Sequence, residues 1–126
     1  MVEITPQERK NPLDPEAPSK FYAQVIASGS TDLNRLAHLI SNQSTVRKAD
    51  CMAVLEALVH NISDELSEGR SVKLGDFGIF SIGVRSNGEE TPEEVNANTV
   101  KKAHLNFRPG KGFHPLLRNA KFKLVS

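Results

Sequence analysis

An aspartate and a phenylalanine lie between two glycines in the stretch SVKLGDFGIF, which contains the triplet Asp76-Phe77-Gly78. In protein kinases an Asp-Phe-Gly triplet holds a magnesium ion against the phosphates of ATP. A kinase also needs a glycine-rich loop, a strand lysine and a His-Arg-Asp loop, and these 126 residues contain none of them. We therefore predict a tight turn, in which Gly75 and Gly78 adopt backbone angles that other residues resist and Asp76 hydrogen-bonds the turn backbone.

The remaining candidates for chemistry are four histidines and a single cysteine. The histidines are His38, His60, His104 and His114. Their spacing matches no metal site and no cysteine pair accompanies them, so surface or helix-side positions are expected. Cys51 falls on the apolar side of a predicted helix, which favours a buried, inert thiol. Because no nucleophile, base and acid occur as a set, we predict no enzyme activity, no cofactor or metal, and no small-molecule substrate.

The composition is that of a folded domain. Leu, Ile, Val and Phe make up 34 of the 126 residues, enough for a packed core. No apolar run approaches the roughly 20 residues of a membrane span, and the first twelve residues lack the apolar segment of a signal peptide. The single cysteine fits a reducing compartment. A cytoplasmic protein without a membrane partner is therefore expected.

The charge is divided unevenly along the chain. Residues 1–94 carry nine basic against fifteen acidic residues, a net charge of −6, whereas residues 95–126 carry seven Lys or Arg and no acid. A one-sided basic segment is typical of a phosphate-binding face. The alternative is a solvated surface whose lysines are balanced by acids folded nearby, and the charge alone does not separate the two.

The chain is expected to begin with an extension, residues 1–30, followed by a domain over residues 31–126. Two short strands are predicted in the extension, at 2–5 and 21–26, separated by a proline-rich connection that excludes a regular helix. A helix then follows from a cap at Ser30 or Thr31 to about Asn42, with apolar residues at helical spacing.

A second helix is predicted from Thr45 to about Gly69, and its apolar residues cover an unusually wide arc. They are Cys51, Met52, Val54, Leu55, Leu58, Val59, Ile62 and Leu66. At 100° per residue they span about 160°, more than one packing surface needs. This width favours a second copy of the protein that completes the core. The alternative is a helix packed between the sheet and the first helix of one monomer.

The order of elements, with two motifs at their spacing, resembles the bacterial histone-like HU and integration host factor family. The motifs are VKLGDFGIF at 72–80, which we interpret as strand, turn and strand, and FRPGK at 107–111, which leads into a last helix. The resemblance covers residues 30–120, and the extension with the closing KFKLV resembles an HU-related branch with added strands. It implies an α+β fold and an intertwined homodimer: a two-helix base, a β-sheet saddle with arms, and a short C-terminal helix.

The resemblance also implies an architectural, largely non-sequence-specific protein that binds double-stranded DNA and is nucleoid-associated. Seven residues are then expected to contact phosphates from the saddle, the arm flanks and the C-terminal segment: Arg85, Lys101, Lys102, Arg108, Lys111, Arg118 and Lys121. Family members also wedge a proline at each arm tip between base steps and so bend the duplex.

The arm departs from the family pattern. Residues 81–106 contain Arg85, Lys101 and Lys102 against four glutamates, a net charge of −1. The quartet Thr91-Pro92-Glu93-Glu94 has the pattern of a capping box, with Thr91 as the cap. It predicts a helical turn or compact loop near 91–96 instead of a wedge-tipped ribbon. Bending by intercalation is therefore not expected, and an alternative stays open: a structural or protein-interaction dimer with this fold that has lost or weakened DNA binding. Phe107, Phe113 and Phe122 could stack on bases, but core packing is the preferred interpretation.

Overall fold

The computed structural model describes residues 1–125 and has the predicted α+β content. The strands are β1 (Val2–Arg9), β2 (Lys20–Ile26), β3 (Val72–Lys73), β4 (Gly78–Ser86), β5 (Val100–Pro109) and β6 (Phe122–Leu124). The helices are α1 (Leu33–Gln43), α2 (Lys48–Ser67) and α3 (His114–Asn119). Two compact units result, one from Leu33 to Pro115 and one that combines Met1–Asp32 with the residues from Leu116 onward.

The unit that contains Met1–Asp32, here called the N-terminal unit, has a three-stranded sheet in the order β2-β1-β6. β1 and β2 are antiparallel, from Glu3 opposite Ile26 to Arg9 opposite Lys20. β6 joins β1 in parallel, which explains why residues far apart in sequence group together. The predicted first strand was too short, since β1 continues through Pro6 to Arg9. A proline is tolerated there because β6 pairs only with residues 2–4 and leaves that edge of β1 free.

The two helices of the larger unit form where the apolar spacing predicts them. α1 agrees closely with the prediction, but α2 begins at Lys48 and not at Thr45. The Ser44 hydroxyl donates to the Ile40 carbonyl oxygen (2.9 Å) and accepts from the Val46 amide (3.2 Å). These local hydrogen bonds hold residues 44–46 in a turn at the end of α1, so the second helix starts only after it.

The second sheet has the order β3-β4-β5 and lies in the same unit as α2. β3 has only two residues because the chain turns at Leu74, whose amide donates to the Gly78 carbonyl oxygen (2.8 Å). β4 and β5 form a long antiparallel hairpin, from Gly78 opposite Pro109 to Ser86 opposite Val100. This hairpin positions most of the predicted site residues.

Little apolar surface is fully buried within the chain. Among residues 1–125 the buried hydrophobic side chains are Ala37, Cys51 and Leu66, so Cys51 has the predicted environment. On α2, by contrast, Val54 and Val59 remain 64% and 65% exposed. A single chain therefore leaves much of the predicted apolar arc uncovered. In the same stretch of residues, no helix combines the length and apolar character needed to cross a membrane.

Candidate nucleic-acid interface

Strand alternation gives the β3–β4–β5 sheet two unlike faces. Residues directly opposite each other in an antiparallel pair share a face, and successive residues alternate between faces. One face carries Phe80, Ile82, Val84, Phe107, Leu105 and Ala103. Part of this apolar face and part of α2, including Val59, Ile62 and Leu66, line an open apolar groove of about 430 Å³. The other face of the sheet is therefore the one that bears the polar side chains.

We call that other face the basic face. Its members are Lys73, Ile79, Ser81, Gly83 and Arg85 from β3 and β4, and Lys102, His104, Asn106 and Arg108 from β5. Four of these nine residues are cationic and none is acidic. The structure thus brings together three of the seven predicted site residues, Arg85, Lys102 and Arg108.

The cations of the basic face are not neutralised by the protein. Arg85 lies directly opposite Lys102, and like charges in that arrangement repel each other and destabilise a sheet. In the part of the chain that the structure describes, no residue of this face takes part in an ion pair. An unpaired cross-strand cation pair is a suitable place for an anionic ligand, because phosphate oxygens would relieve the repulsion.

Lys101 occupies an irregular point of the hairpin. The register shifts between Arg85 and Ser86, so Arg85 is opposite Lys102 and Ser86 is opposite Val100, which leaves Lys101 without a Cα partner. A β-bulge of this kind bends the strand and changes the direction of the side chain. Lys101 is exposed and next to Lys102, as the predicted site requires.

Gly83 lets two nitrogen-bearing side chains lie across the centre of the basic face. A Cβ atom at this position would stand 2.5 Å from His104 Nε2 and 2.9 Å from Asn106 Nδ2. Neither side chain was predicted to belong to the site, and neither was Lys73. Because every second residue of a strand lies on the same face, the sequence positions of Asn106 and His104 relative to Arg108 could have identified both. Lys73 could be identified only from the β3–β4 register.

The two sequence motifs contact each other through their backbones. The Gly110 amide donates to the Phe77 carbonyl oxygen (3.0 Å), and the Gly112 amide donates to the Asp76 carbonyl oxygen (2.8 Å). A Cβ atom on Gly110 would stand 2.5 Å from that same Asp76 oxygen. The Asp-Phe-Gly triplet is therefore a turn, as predicted. Its backbone carbonyl groups accept hydrogen bonds from the Pro-Gly-Lys-Gly segment that carries the exposed Lys111.

The phenylalanines of the larger unit pack against one another. Phe77 lies 5.6 Å from Phe113 and 5.9 Å from Phe107 between ring centroids, and Phe80 lies 4.8 Å from Phe107. These tilted and edge-on contacts are the favourable geometries for aromatic pairs. The cluster supports the packing interpretation of Phe107 and Phe113 over base stacking. Phe122 lies in β6 of the N-terminal unit.

The end of the β4–β5 hairpin is a compact loop. The helical turn predicted at 91–96 forms at Pro92–Glu94, and a second turn follows at Ala97–Thr99. The capping box was predicted at the wrong turn, because Thr91 makes no side-chain cap. Asn96 makes it instead: its Oδ1 accepts from the Asn98 amide (2.8 Å), and its own amide donates to Thr99 Oγ1 (3.4 Å). An asparagine side chain readily reaches the amide two residues onward.

The four glutamates of this loop are exposed. They are Glu89, Glu90, Glu93 and Glu94. They therefore place a negative surface at the hairpin end, beyond the cationic pair Arg85 and Lys102. Arg118, in α3, and Lys121, just before β6, belong to the other compact unit, and their contribution to the basic face stays a prediction. Across residues 1–125, no group of three or more His, Cys, Asp or Glu side chains could hold a metal ion.

Known proteins resemble this chain in sequence profile and in fold. The profile of the HU-HIG family, HU domains fused to a wHTH, an Ig or a glycine-rich motif, matches residues 2–123. The sequence matches no protein of curated function.

Two solved structures share the fold. A protein of Bacteroides vulgatus, described as a candidate bacterial DNA-binding protein, superposes with a TM-score of 0.65 at 14% identity and 98% coverage of this chain. This chain spans only about half of that protein, 48%. HU of Anabaena, in a cocrystal with DNA, superposes with a TM-score of 0.55 at 23% identity, covering 71% of this chain and 99% of its own. The predicted HU-like fold is thus confirmed, and the chain belongs to the HU-HIG family.

Proposed function

We propose that this protein binds double-stranded DNA as an architectural protein, and that the basic face holds the duplex through phosphate contacts with little reading of base sequence. The observation that carries this proposal is the contrast between the two faces of one sheet. Lys73, Arg85, Lys102 and Arg108 share a face without an acid, whereas the opposite face is apolar. Membership of an HU family and the fold shared with an HU–DNA cocrystal support it.

Phosphate contact is the recognition mode that these side chains suit. Arginine and lysine donate charge-assisted hydrogen bonds to phosphate oxygens, and such contacts position a protein without carrying sequence information. His104 and Asn106, which lie over Gly83, add hydrogen-bonding groups in the middle of the face. The function proposed is binding and not catalysis, at the bacterial nucleoid, with residues 31–126 as the DNA-binding domain and residues 1–30 as an extension.

The binding form is a homodimer in this proposal. A folded monomer of 13.8 kDa is expected to expose about 6,600 Å² of surface. This chain exposes 10687 Å², with Val54 and Val59 of α2 among its uncovered apolar side chains. An excess of this kind favours an extensive apolar interface of the type found in obligate homodimers. A second copy packed on α2 and the apolar groove would cover this surface and double the number of basic faces.

A second candidate function follows from the acidic loop. Glu89, Glu90, Glu93 and Glu94 stand at the hairpin end, where family members with a basic arm grip DNA. Their repulsion of phosphates favours a dimer that keeps the fold and binds proteins instead of DNA. In the compact loop, Pro92 begins a helical turn and does not stand at the tip of an extended ribbon, which disfavours bending by a wedged proline.

Fluorescence anisotropy with a labelled duplex of about 20–30 base pairs, at 50 and 200 mM salt, separates the two functions. We expect binding that weakens steeply with salt and that Lys101→Glu/Lys102→Glu weakens further. The matched control is Arg47→Glu/Lys48→Glu, which makes the same charge change at the exposed start of α2. Absence of binding at 50 mM salt would contradict the proposal and favour the protein-interaction dimer.

A further inference from the structure

The tip of the β1–β2 hairpin gathers three cationic side chains outside the predicted site. Arg9 lies directly opposite Lys20, and Lys10 follows Arg9 in the chain. The three surround a cleft of about 580 Å³. Its other lining residues are Asn11, Pro12, Ala17, Pro18 and Tyr22. Asp14 and Glu16 lie in the loop that closes the hairpin, but no carboxylate lines the cleft, and the charged side chains that do line it are the three cations.

This tip repeats the arrangement of the basic face. Arg9 opposite Lys20 is a like-charged cross-strand pair, as is Arg85 opposite Lys102, and both pairs stand near the end of a long hairpin. Such a pair destabilises the sheet that carries it. None of the three cations of the tip takes part in an ion pair within residues 1–125.

The carboxylate that is adjacent to Arg9 in the chain, Glu8, forms no ion pair with it. Glu8 is adjacent to Arg9 in β1 and therefore projects from the opposite face of the strand. Its Oε1 accepts a hydrogen bond from Ser19 Oγ at 2.6 Å. The repulsion between Arg9 and Lys20 thus persists in the free protein, and an anion bound between them would remove it.

The cations stand on a preformed support. The Arg9 guanidinium lies over the Tyr22 ring, 5.8 Å from its centroid, a contact that holds the side chain in place. Behind it, Asn11 Oδ1 accepts from the Leu13 amide (3.0 Å) and the Asp14 amide donates to the Asn11 carbonyl oxygen (3.2 Å). An arginine fixed on an aromatic ring presents its donors in the planar geometry that phosphate accepts.

We propose that this hairpin tip is a second contact site for the phosphate backbone of duplex DNA, so that the N-terminal extension takes part in binding. The inference rests on the proposed function, because it assigns a further surface to the same ligand. Each phosphate contact contributes about 0.9 to the slope of log affinity against log salt. Arg9 and Lys20 together therefore account for a slope of about 1.8 per chain.

The test compares Arg9→Gln/Lys20→Gln with Arg47→Gln/Lys48→Gln, which removes two charges at exposed residues elsewhere. Binding to a 30-base-pair duplex is measured by anisotropy between about 50 and 200 mM salt, after circular dichroism has shown that both variants are folded. We expect the hairpin variant to lose about 1.8 in slope for each hairpin tip that contacts the duplex, or about 3.6 for a dimer that uses both, and at least about tenfold in affinity at the higher salt, while the control keeps the wild-type slope. If the two variants show the same affinity and the same salt slope, whether both bind more weakly than the wild type or neither does, the inference is overturned.

Failure of this inference is distinguishable from failure of the proposed function. If the wild-type protein binds DNA and responds to Lys101→Glu/Lys102→Glu but not to Arg9→Gln/Lys20→Gln, only the hairpin site is wrong. If the wild-type protein does not bind DNA, both proposals fall. If the hairpin binds a lipid surface instead, the wild-type protein sediments with phosphatidylserine vesicles and the hairpin variant does not. DNA binding is then the same in both proteins, which also overturns the inference.

Discussion

The two sheets of this protein are built on the same plan and differ in what covers them. Each has three strands, an apolar face and a polar face, and a like-charged pair near a hairpin end. α2 lies against the apolar face of β3–β4–β5, beside Phe80 and Ile82. The apolar face of β2–β1–β6, with Phe21, Val25 and Phe122, is exposed. Strand alternation therefore specifies which residues share a face but does not specify what packs on it.

The largest expected effect is on dimer association, and it compares a substitution on the uncovered surface of α2 with one on the uncovered face of the N-terminal sheet. Val59 is 65% exposed and Val25 is 60% exposed, so the two are nearly equal in one chain. In the proposed dimer, Val59→Asp buries an unpaired charge at the interface and costs about 3–5 kcal/mol of association free energy. Val25→Asp leaves association unchanged. Sedimentation equilibrium of the two variants checks this, and equal dimer dissociation constants would show that α2 is not the dimer surface.

A second comparison concerns two glycines with positive φ. Gly78 (φ 144°) begins β4 and Gly29 (φ 129°) lies before α1. A Cβ atom on Gly78 would collide with the Arg108 carbonyl oxygen and the Phe107 ring, whereas one on Gly29 meets nothing within 4 Å. We expect Gly78→Ala to lower the free energy of unfolding by about 4 kcal/mol and Gly29→Ala by about 2 kcal/mol. Urea titrations measure both, and a similar loss in each would mean that backbone strain alone matters.

A smaller effect is expected from the aromatic side chains. Phe77 is 48% exposed yet touches three other rings, whereas Phe21 is 68% exposed and has no ring contact among residues 1–125. Phe77→Ala should cost about 2 kcal/mol of unfolding free energy, and Phe21→Ala less than about 1 kcal/mol. Thermal melts resolve this difference. The reverse order would show that the exposed face of the N-terminal sheet is covered in solution.

The smallest effect tests the two loops that end the hairpins. Asn96 forms the capping box of the β4–β5 loop, and Asn11 forms a single side-chain bond to the Leu13 amide. Asn96→Ala should cost about 1 kcal/mol and Asn11→Ala about half of that. Amide hydrogen exchange at Asn98 and Leu13 reports each loss locally. Unchanged exchange at Asn98 would mean that the box does not hold the loop.

Much of the fold could be predicted because it depends on local patterns. The helical spacing of α1 and the glycines of the turn at 75–78 specify their own conformations, and the family motifs fix their order. The site was only partly predictable. Arg85 and Arg108 were assigned from the family resemblance, whereas Lys73 joins them through a register that no local pattern contains. The bulge at Lys101 depends in the same way on both strands of the hairpin.

Two other features were missed because they depend on competition between alternatives. Thr91 and Asn96 both precede short turns with suitable cap residues, and only the geometry shows that Asn96 makes the box. The pairing of β6 with β1 joins residues more than a hundred positions apart, and the sequence of neither strand indicates which strand it pairs with.

The hydrogen-bonded loop at 87–99 has a kinetic consequence. Its amide-to-carbonyl bonds, including Asn87 to Thr99 (3.0 Å), already exist in the free protein. A long flexible arm must lose conformational entropy when it settles on a ligand, at about 1–2 kcal/mol per residue fixed. This loop has lost that entropy during folding. Encounter with a partner would then proceed as the docking of rigid bodies, at a rate governed by collision and long-range charge, with no slow step of arm closure.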